Sequence, residues 1–283
     1  MITSRLVRQL MASTLAGLPN VVLPQAPFDL DSSFRTLIDT WYVSSVAPLD
    51  DGSMLVSGQI KFPGDLIFRS TLRLLNDGTQ DPSFPSGVPG GGKLTAWNDQ
   101  FYVSSGQLVR RFWPDGTIDW AWEMGTTPYF SPLQGGDYHV YPDGRVLLTG
   151  YHNLDDTIRG FVGGYSLIWF SNQGYLDTTR THRAGNGEID RIKELSDGKF
   201  ICAGGMTQFD GHPTANVFRV HADGALDTTF LTTVNWGLPV SFLELPDGKL
   251  VCAGGFKVAG DPDTLTLARL LPSWRAQRTL PRL

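Results

Sequence analysis

The chain reads as a succession of short strands folded back on one another. Apolar runs such as Ser53-Met54-Leu55-Val56 and Lys199-Phe200-Ile201-Cys202-Ala203 are brief and continuous, the pattern of buried strands, and no repeated segment carries a 3.6-residue apolar period. Two hairpin signals alternate. The first is an apolar run, an Asp-Gly turn, a second apolar run and a closing Gly. It occurs as LDDGSMLVSG (49–58), YPDGRVLLTG (141–150), LSDGKFICAGG (195–205) and LPDGKLVCAGG (245–255), with a degenerate copy, WNDQFYVSSG, at 97–106. Asp-Gly supplies the positive φ angles of a tight two-residue hairpin, so the flanking runs are expected to pair.

The second signal is Arg, a short strand, Asp-Gly, then Leu-Asp-x-x-aromatic: LRLLNDGTQDPSF (72–84), RRFWPDGTIDWAW (110–122), FRVHADGALDTTF (218–230) and a weaker IWFSNQGYLDTTR (168–180). Asp77, Asp115 and Asp223 each precede Asp81, Asp119 and Asp227 at one fixed offset. That regularity points to a structural task, the capping of turn amides. Asp51, Asp99, Asp143, Asp197 and Asp247 mark the first signal at steps of 44 to 54 residues. Each unit therefore holds two hairpins and about four strands, the size of one propeller blade. The expected fold is an all-β propeller of about five four-stranded blades. Its ends complement each other: Leu30–Phe34 is the tail of the second signal without its turn, and Ala268–Leu271 is the head without its tail. A ring closed by pairing Leu30–Phe34 with Leu265–Leu271 would remove exposed sheet edges.

This organisation divides the chain into an N-terminal docking extension (1–28), the propeller (29–274) and a C-terminal tail (275–283). Leu6, Leu10, Val7 and Met11 fall at helical spacing, so a short amphipathic helix is expected there, stopped by Pro19, Pro24 and Pro27. No apolar run reaches the roughly 18 residues of a membrane span.

The repeats resemble the delta-60 repeat, a β-propeller repeat of bacterial surface proteins with a pattern close to DGK-apolar-apolar-x-GG-x-F followed by RL-x-x-DG-x-LD-x-x-F. Leu245 to Phe256 matches the first half, Gly211 to Phe230 the second, and Ser196 to Phe230 carries a whole unit. The resemblance implies a propeller and an extracellular setting, and it brings no catalytic residues.

Composition narrows the function. Net charge is −5, with basic clusters only near the termini at Arg5, Arg8, Arg275, Arg278 and Arg282, so no nucleic-acid surface is expected. Cys202 and Cys252 occupy one repeat register and read as small buried hydrophobes rather than a disulfide. Nucleophile-elbow, phosphate-loop, HExxH and CxxC patterns are absent from the sequence. The five histidines, His139, His152, His182, His212 and His221, lack metal-ligand spacing. The paired aspartates at 77/81 and 115/119 invite a calcium reading, but the alternating ligand ladder is missing and turn chemistry explains them. Asp155 and Asp156 beside His152 read as a solvated loop rather than the two opposed carboxyls of a glycosidase. No catalytic residue, metal or cofactor is therefore assigned. Trp97, Trp113 and Trp120 form the candidate ligand-binding patch, because exposed aromatics suit a sugar or protein contact. Trp122 is expected in the core.

The resulting expectation is a non-catalytic interaction module, structural or adhesive, in an extracellular assembly. The chain carries Met1 and no signal-peptide pattern, which favours a bacteriophage particle released by lysis. There the termini would dock on neighbouring subunits and the propeller would contact a cell-surface glycan or protein. A bacterial cell-surface binding protein, a lectin and a glycan-acting propeller enzyme are the alternatives.

Overall fold

The Asp-Gly turns govern the local architecture. A computed structural model describes residues 31–39, 42–105, 108–122 and 130–271. It divides the chain into two compact units, Met1–Arg35 and Thr36–Leu283. In the turn at 49–53, the Leu49 amide donates to the Ser53 carbonyl at 2.9 Å and the Gly52 amide donates to the Leu49 carbonyl at 3.1 Å. Gly52 has φ +85°. The loop is thus a three-residue type I turn ending in one left-handed residue, not the two-residue hairpin expected from the sequence. Only the glycine needs positive φ. The aspartate before it stays right-handed, and its Oδ1 accepts the amide two residues on, at Ser53, Thr79, Thr117, Arg145, Lys199, Ala225 and Lys249. The two-residue form appears instead at Asp210-Gly211, where Phe209 pairs with His212 and Asp210 has φ +52°.

The strands of the second unit are β1 (Tyr42–Pro48), β2 (Met54–Ile60), β3 (Arg69–Leu74), β4 (Leu94–Trp97), β5 (Gln100–Ser105), β6 (Leu108–Phe112), β7 (Phe130–Val140), β8 (Val146–Asp156), β9 (Phe161–Phe170), β10 (Ile189–Glu194), β11 (Phe200–Gly204), β12 (Gln208–Phe209), β13 (His212–Pro213), β14 (Val217–Val220), β15 (Val234–Glu244), β16 (Leu250–Val258) and β17 (Leu265–Leu270). They form antiparallel sheets in the orders β1-β2-β3, β4-β5-β6, β7-β8-β9, β10-β11-β14 and β15-β16-β17, with a small β12-β13 pair. No helix occurs among the described residues.

These blades have three full strands, where four were expected. The chain returns from the second turn, Asp-Gly in three sheets and Gln-Gly in the third, for a single bridged residue: Gln80 on Leu74, Ile118 on Phe112, Leu176 on Phe170 and Leu226 on Val220. The next residue is the aspartate of Leu-Asp, and its own capped turn carries the chain out of the sheet. The capping role expected of Asp81, Asp119 and Asp227 is what the hydrogen bonds show, with Oδ1 accepting the amides of Ser83, Ala121 and Thr229. Their second oxygen explains the recurring spacing to the arginine. Arg73, Arg111 and Arg219 donate Nε to Asp81, Asp119 and Asp227 at 2.6, 2.7 and 2.9 Å. Each guanidinium also lies over the following aromatic, Phe84, Trp122 or Phe230.

The apolar core lies in the seams between consecutive sheets. Leu55 and Phe84 pack with Leu94, Phe101 and Phe112. Tyr102, Val109 and Trp122 pack with Tyr138, Leu148 and Ile168. Leu147, Leu167 and Trp169 pack with Ile192, Phe200 and Cys202. Ile201, Val217 and Phe230 pack with Phe242, Leu250 and Cys252. Cys202 and Cys252 are free and buried, as expected.

The first unit is described at residues 31–35, where Asp31 Oδ1 accepts the Ser33 amide at 2.9 Å and the Phe34 amide donates to the Asp31 carbonyl. This is the turn of the Leu-Asp-x-x-aromatic tails. Residues 31–34 form a turn and no strand, and the described pairings of β17 are with β16. No sheet pairing that closes a ring is therefore present among the described residues. The expected helix near Leu6, the docking extension 1–28 and the tail 275–283 lie outside the described residues.

Candidate functional site: a line of bulges along the first strands

The first strands of neighbouring sheets lie against one another, β1 with β4, β7 with β10, and β10 with β15. Each carries a bulge at one register. The ladder slips between Val43 and Ser45, between Gly135 and Tyr138, between Ile189 and Arg191, and between Pro239 and Ser241. Just before β4, the Gly92 amide donates to the Ser104 carbonyl, and the Ser104 amide donates back to the Lys93 carbonyl. Two residues thus oppose one in all five sheets.

The closing glycine of the first signal makes this possible. A Cβ on Gly204 would lie 2.1 Å from the Glu188 carbonyl oxygen, and one on Gly254 would lie 2.6 Å from that of Leu238. The first strand bends into space that a side chain would fill. The second glycine of the pair, Gly205 or Gly255, has nothing within 4 Å.

The bulge residues link sheet to sheet. Ser45 Oγ accepts the Leu94 amide at 3.1 Å. Lys93 Nζ donates to Asp137 Oδ1 at 3.0 Å and to the Tyr138 carbonyl at 2.6 Å. Asp137 Oδ2 accepts the Ile192 amide at 3.2 Å, and Arg191 Nε donates to the Val240 carbonyl at 3.1 Å. The result is one polar line across five sheets, with Lys93, Asp137, Asp190 and Arg191 as its charges. Lys93 is 43% exposed and Asp137 13%. Burial pushes the Glu188 carboxyl above its usual range, helped by the neighbouring Asp190 charge. Burial also raises Asp190, against the opposing pull of Arg191. Both keep one buried oxygen without a hydrogen bond.

Sequence reasoning missed these residues, since their types vary from sheet to sheet. The closing glycine, which lies beside the bulge at Gly58, Gly150, Gly204 and Gly254, was the available signal.

The aromatic candidates separate. Trp97 is half-buried beside the core of the second seam, donates Nε1 to the Pro142 carbonyl, and lies with Trp122 over Arg111. Trp113 is a half-buried turn residue, and Trp120 is 78% exposed. Tyr102 makes ring contacts with both Trp97 and Trp122, and no ring contact among the described residues joins Trp113 or Trp120 to them. Trp122 is buried, as expected.

Asp155 and Asp156 alternate along β8, one exposed and one buried against Arg159. His212 and His221 are exposed, whereas His152 and His182 are buried. His182 Nδ1 accepts the Trp169 amide and its ring stacks on Trp169, so it packs within the third blade. Among the described residues no group of three or more His, Cys, Asp or Glu is placed to hold a metal ion.

Comparison with known proteins agrees with a propeller repeat. A family described as a β-propeller domain of unknown function (DUF5122) matches residues 195–230 and 245–275. No curated protein matches the sequence. Among solved structures, a protein of unknown function from Bacteroides caccae is 12% identical, with TM-score 0.46 over 83% of this chain and 80% of its own. A gluconolactonase from Xanthomonas campestris is 16% identical, with TM-score 0.46 over 85% of this chain and 76% of its own. The extracellular domain of a putative one-component system from B. thetaiotaomicron is 8% identical, with TM-score 0.44 over 85% of this chain and 35% of that one.

The segments 195–230 and 245–275 thus match a β-propeller repeat family, and the described residues are all-β. The expectation that the chain is not an enzyme is corrected here, because one of these neighbours is an enzyme. At 16% identity and TM-score 0.46 that likeness assigns no activity.

Proposed function

We propose that this chain is a recognition module that holds a polar ligand, a glycan or a protein loop, along the bulged first strands. The observation that carries this reading is the continuous polar line from Ser45 through Lys93, Asp137 and Arg191 to Val240. It sets donors and acceptors on rigid strands, where their geometry costs a ligand little to meet. The setting belongs to the same proposal: an extracellular assembly of the kind that delta-60-like repeats suggest, a bacteriophage particle or a bacterial surface.

The count of five blades is also part of it, with the fifth completed by a tail of the Leu30–Phe34 type. Two features support that completion. Asp31–Phe34 makes the capped turn of the other tails, and Arg269, paired with Val251, stands in the register of Arg73, paired with Leu55.

A second reading is favoured by Glu188 and Asp190. Carboxyls raised by burial beside the polar line suit a general acid, so a glycan-acting enzyme shares the site.

Glycan-array and whole-cell binding with wild type, Lys93→Met and Arg191→Met tests the first reading. Binding that falls about tenfold in either variant supports it. Binding that is absent in wild type, or unchanged in both variants, ends it. Turnover of a bound glycan that Asp190→Asn abolishes would select the second reading.

A further inference from the structure

The four seams share one residue pattern, and the two ends of the series leave its halves uncovered. The residue after each bulge faces the preceding sheet. Leu94, Tyr138, Ile192 and Phe242 hold that position and are 9%, 0%, 5% and 8% exposed. In the first sheet the same register falls on Val46, which is 53% exposed.

The opposite half of the seam comes from the third strand, at the residue paired with Ser57, Ser104, Thr149 and Ala203. These residues are Thr71, Val109, Leu167 and Val217, at most 1% exposed. The fifth sheet places Leu267 there, paired with Ala253, and it is 53% exposed. Tyr42 and Val43 on β1, and Val240 and Leu243 on β15, are exposed as well. Deeper in the first sheet Val56 and Leu72 are buried, so its open strip is the inner strand β1.

We propose that these two strips are an interface between copies of this chain, the fifth sheet of one copy seating β1 of the next. Each strip carries the residue columns that the interior seams bury against one another, so its natural partner is a sheet of the same repeat. Among the described residues the Val46 and Leu267 columns do not meet within one chain, because both remain open. A second copy supplies both halves.

The polar register agrees with this pairing. Ser45 and Asp137 each accept the amide of the residue after the next bulge, Leu94 or Ile192. Across copies the same rule sets the Ser241 hydroxyl against the Val46 amide. The contact is heterologous, so it propagates head to tail until the rotation closes a ring. The proposal goes beyond the ligand-binding reading and does not depend on it.

Sedimentation of the full chain over a range of concentrations tests it. Wild type is expected to form species larger than the monomer, and Val46→Glu and Leu267→Glu each to abolish them. Each single variant keeps one intact strip. An equimolar mixture is therefore expected to recover a species of about twice the monomer mass and nothing larger. A wild type that stays monomeric, or a mixture that stays monomeric, overturns the proposal. So does a loss of thermal stability in the double variant relative to wild type diluted to the monomer, because open residues should tolerate glutamate, and such a loss would show the strips to be covered within one chain.

Discussion

Replacing Asp227 with asparagine removes one negative charge from a nearly buried site and leaves the shape unchanged. The carboxylate is 2% exposed. It accepts from Arg219 Nε at 2.9 Å and Lys199 Nζ at 3.0 Å, while its other oxygen caps the Thr229 amide at 3.1 Å. Burial by itself would raise this carboxyl. Hydrogen bonds from Thr229, Lys199 and Arg219 outweigh it and hold the group well below the usual range.

Breaking a buried ion pair from one side costs about 3–5 kcal/mol. Here the side chains of Lys199 and Arg219 are 29% and 16% exposed, so water recovers part of the loss. The expected cost of Asp227→Asn is therefore about 2–3 kcal/mol, read as a lowered urea midpoint at unchanged slope. Asp227→Ala also loses the cap and should cost about 1 kcal/mol more. Asp223→Asn, at a 66% exposed side chain, should change stability by less than about 0.5 kcal/mol. The pH dependence has a definite sign. A carboxyl depressed in the folded state stabilises above its unfolded pKa and loses that contribution in acid. The gap between wild type and Asp227→Asn should close as the pH falls below about 4. An Asp227→Asn variant within about 0.5 kcal/mol of wild type at pH 7 would refute the account of the Arg–Asp spacing.

Three further outcomes are expected. Gly204→Ala should destabilise by about 2 kcal/mol or more, because its methyl meets fixed backbone, while Gly205→Ala should be close to neutral, and equal effects in denaturation would remove the bulge argument. Burial lowers His182 from 6.5 to about 4. Its contribution to stability is complete above pH 6.5 and is lost at up to about 1.4 kcal/mol per unit as the pH falls to 4, so His182→Gln should flatten the pH–stability curve in that window. Cys202 and Cys252 are buried, and burial pushes the Cys252 thiol up to about 12. Neither should react with a thiol reagent until the chain unfolds, and rapid labelling of the native protein would contradict their placement.

Much of the architecture was legible because the repeat is a local chemical device. Asp-Gly at a fixed place names a turn, and the Arg to Leu-Asp offset names a strand followed by a capped bend. Those relations hold within a few residues, so spacing alone exposes them. The number of strands per blade was not legible. Whether the segment after the second turn continues as a strand depends on Asp81 and its equivalents reaching back to an arginine, a choice made by side-chain packing. The surroundings of the tryptophans were not legible either: Trp97 and Trp122 share Arg111, while Trp120 is exposed.

By itself the sequence determined the strand periodicity, the turns, the repeat length and the buried cysteines, since each rests on backbone propensity and short-range capping. The tertiary structure decided which residues meet across seams. Lys93, Asp137 and Arg191 share no motif and lie far apart along the chain. They become neighbours only because each first strand bulges at the same height, and that coincidence exists in space alone.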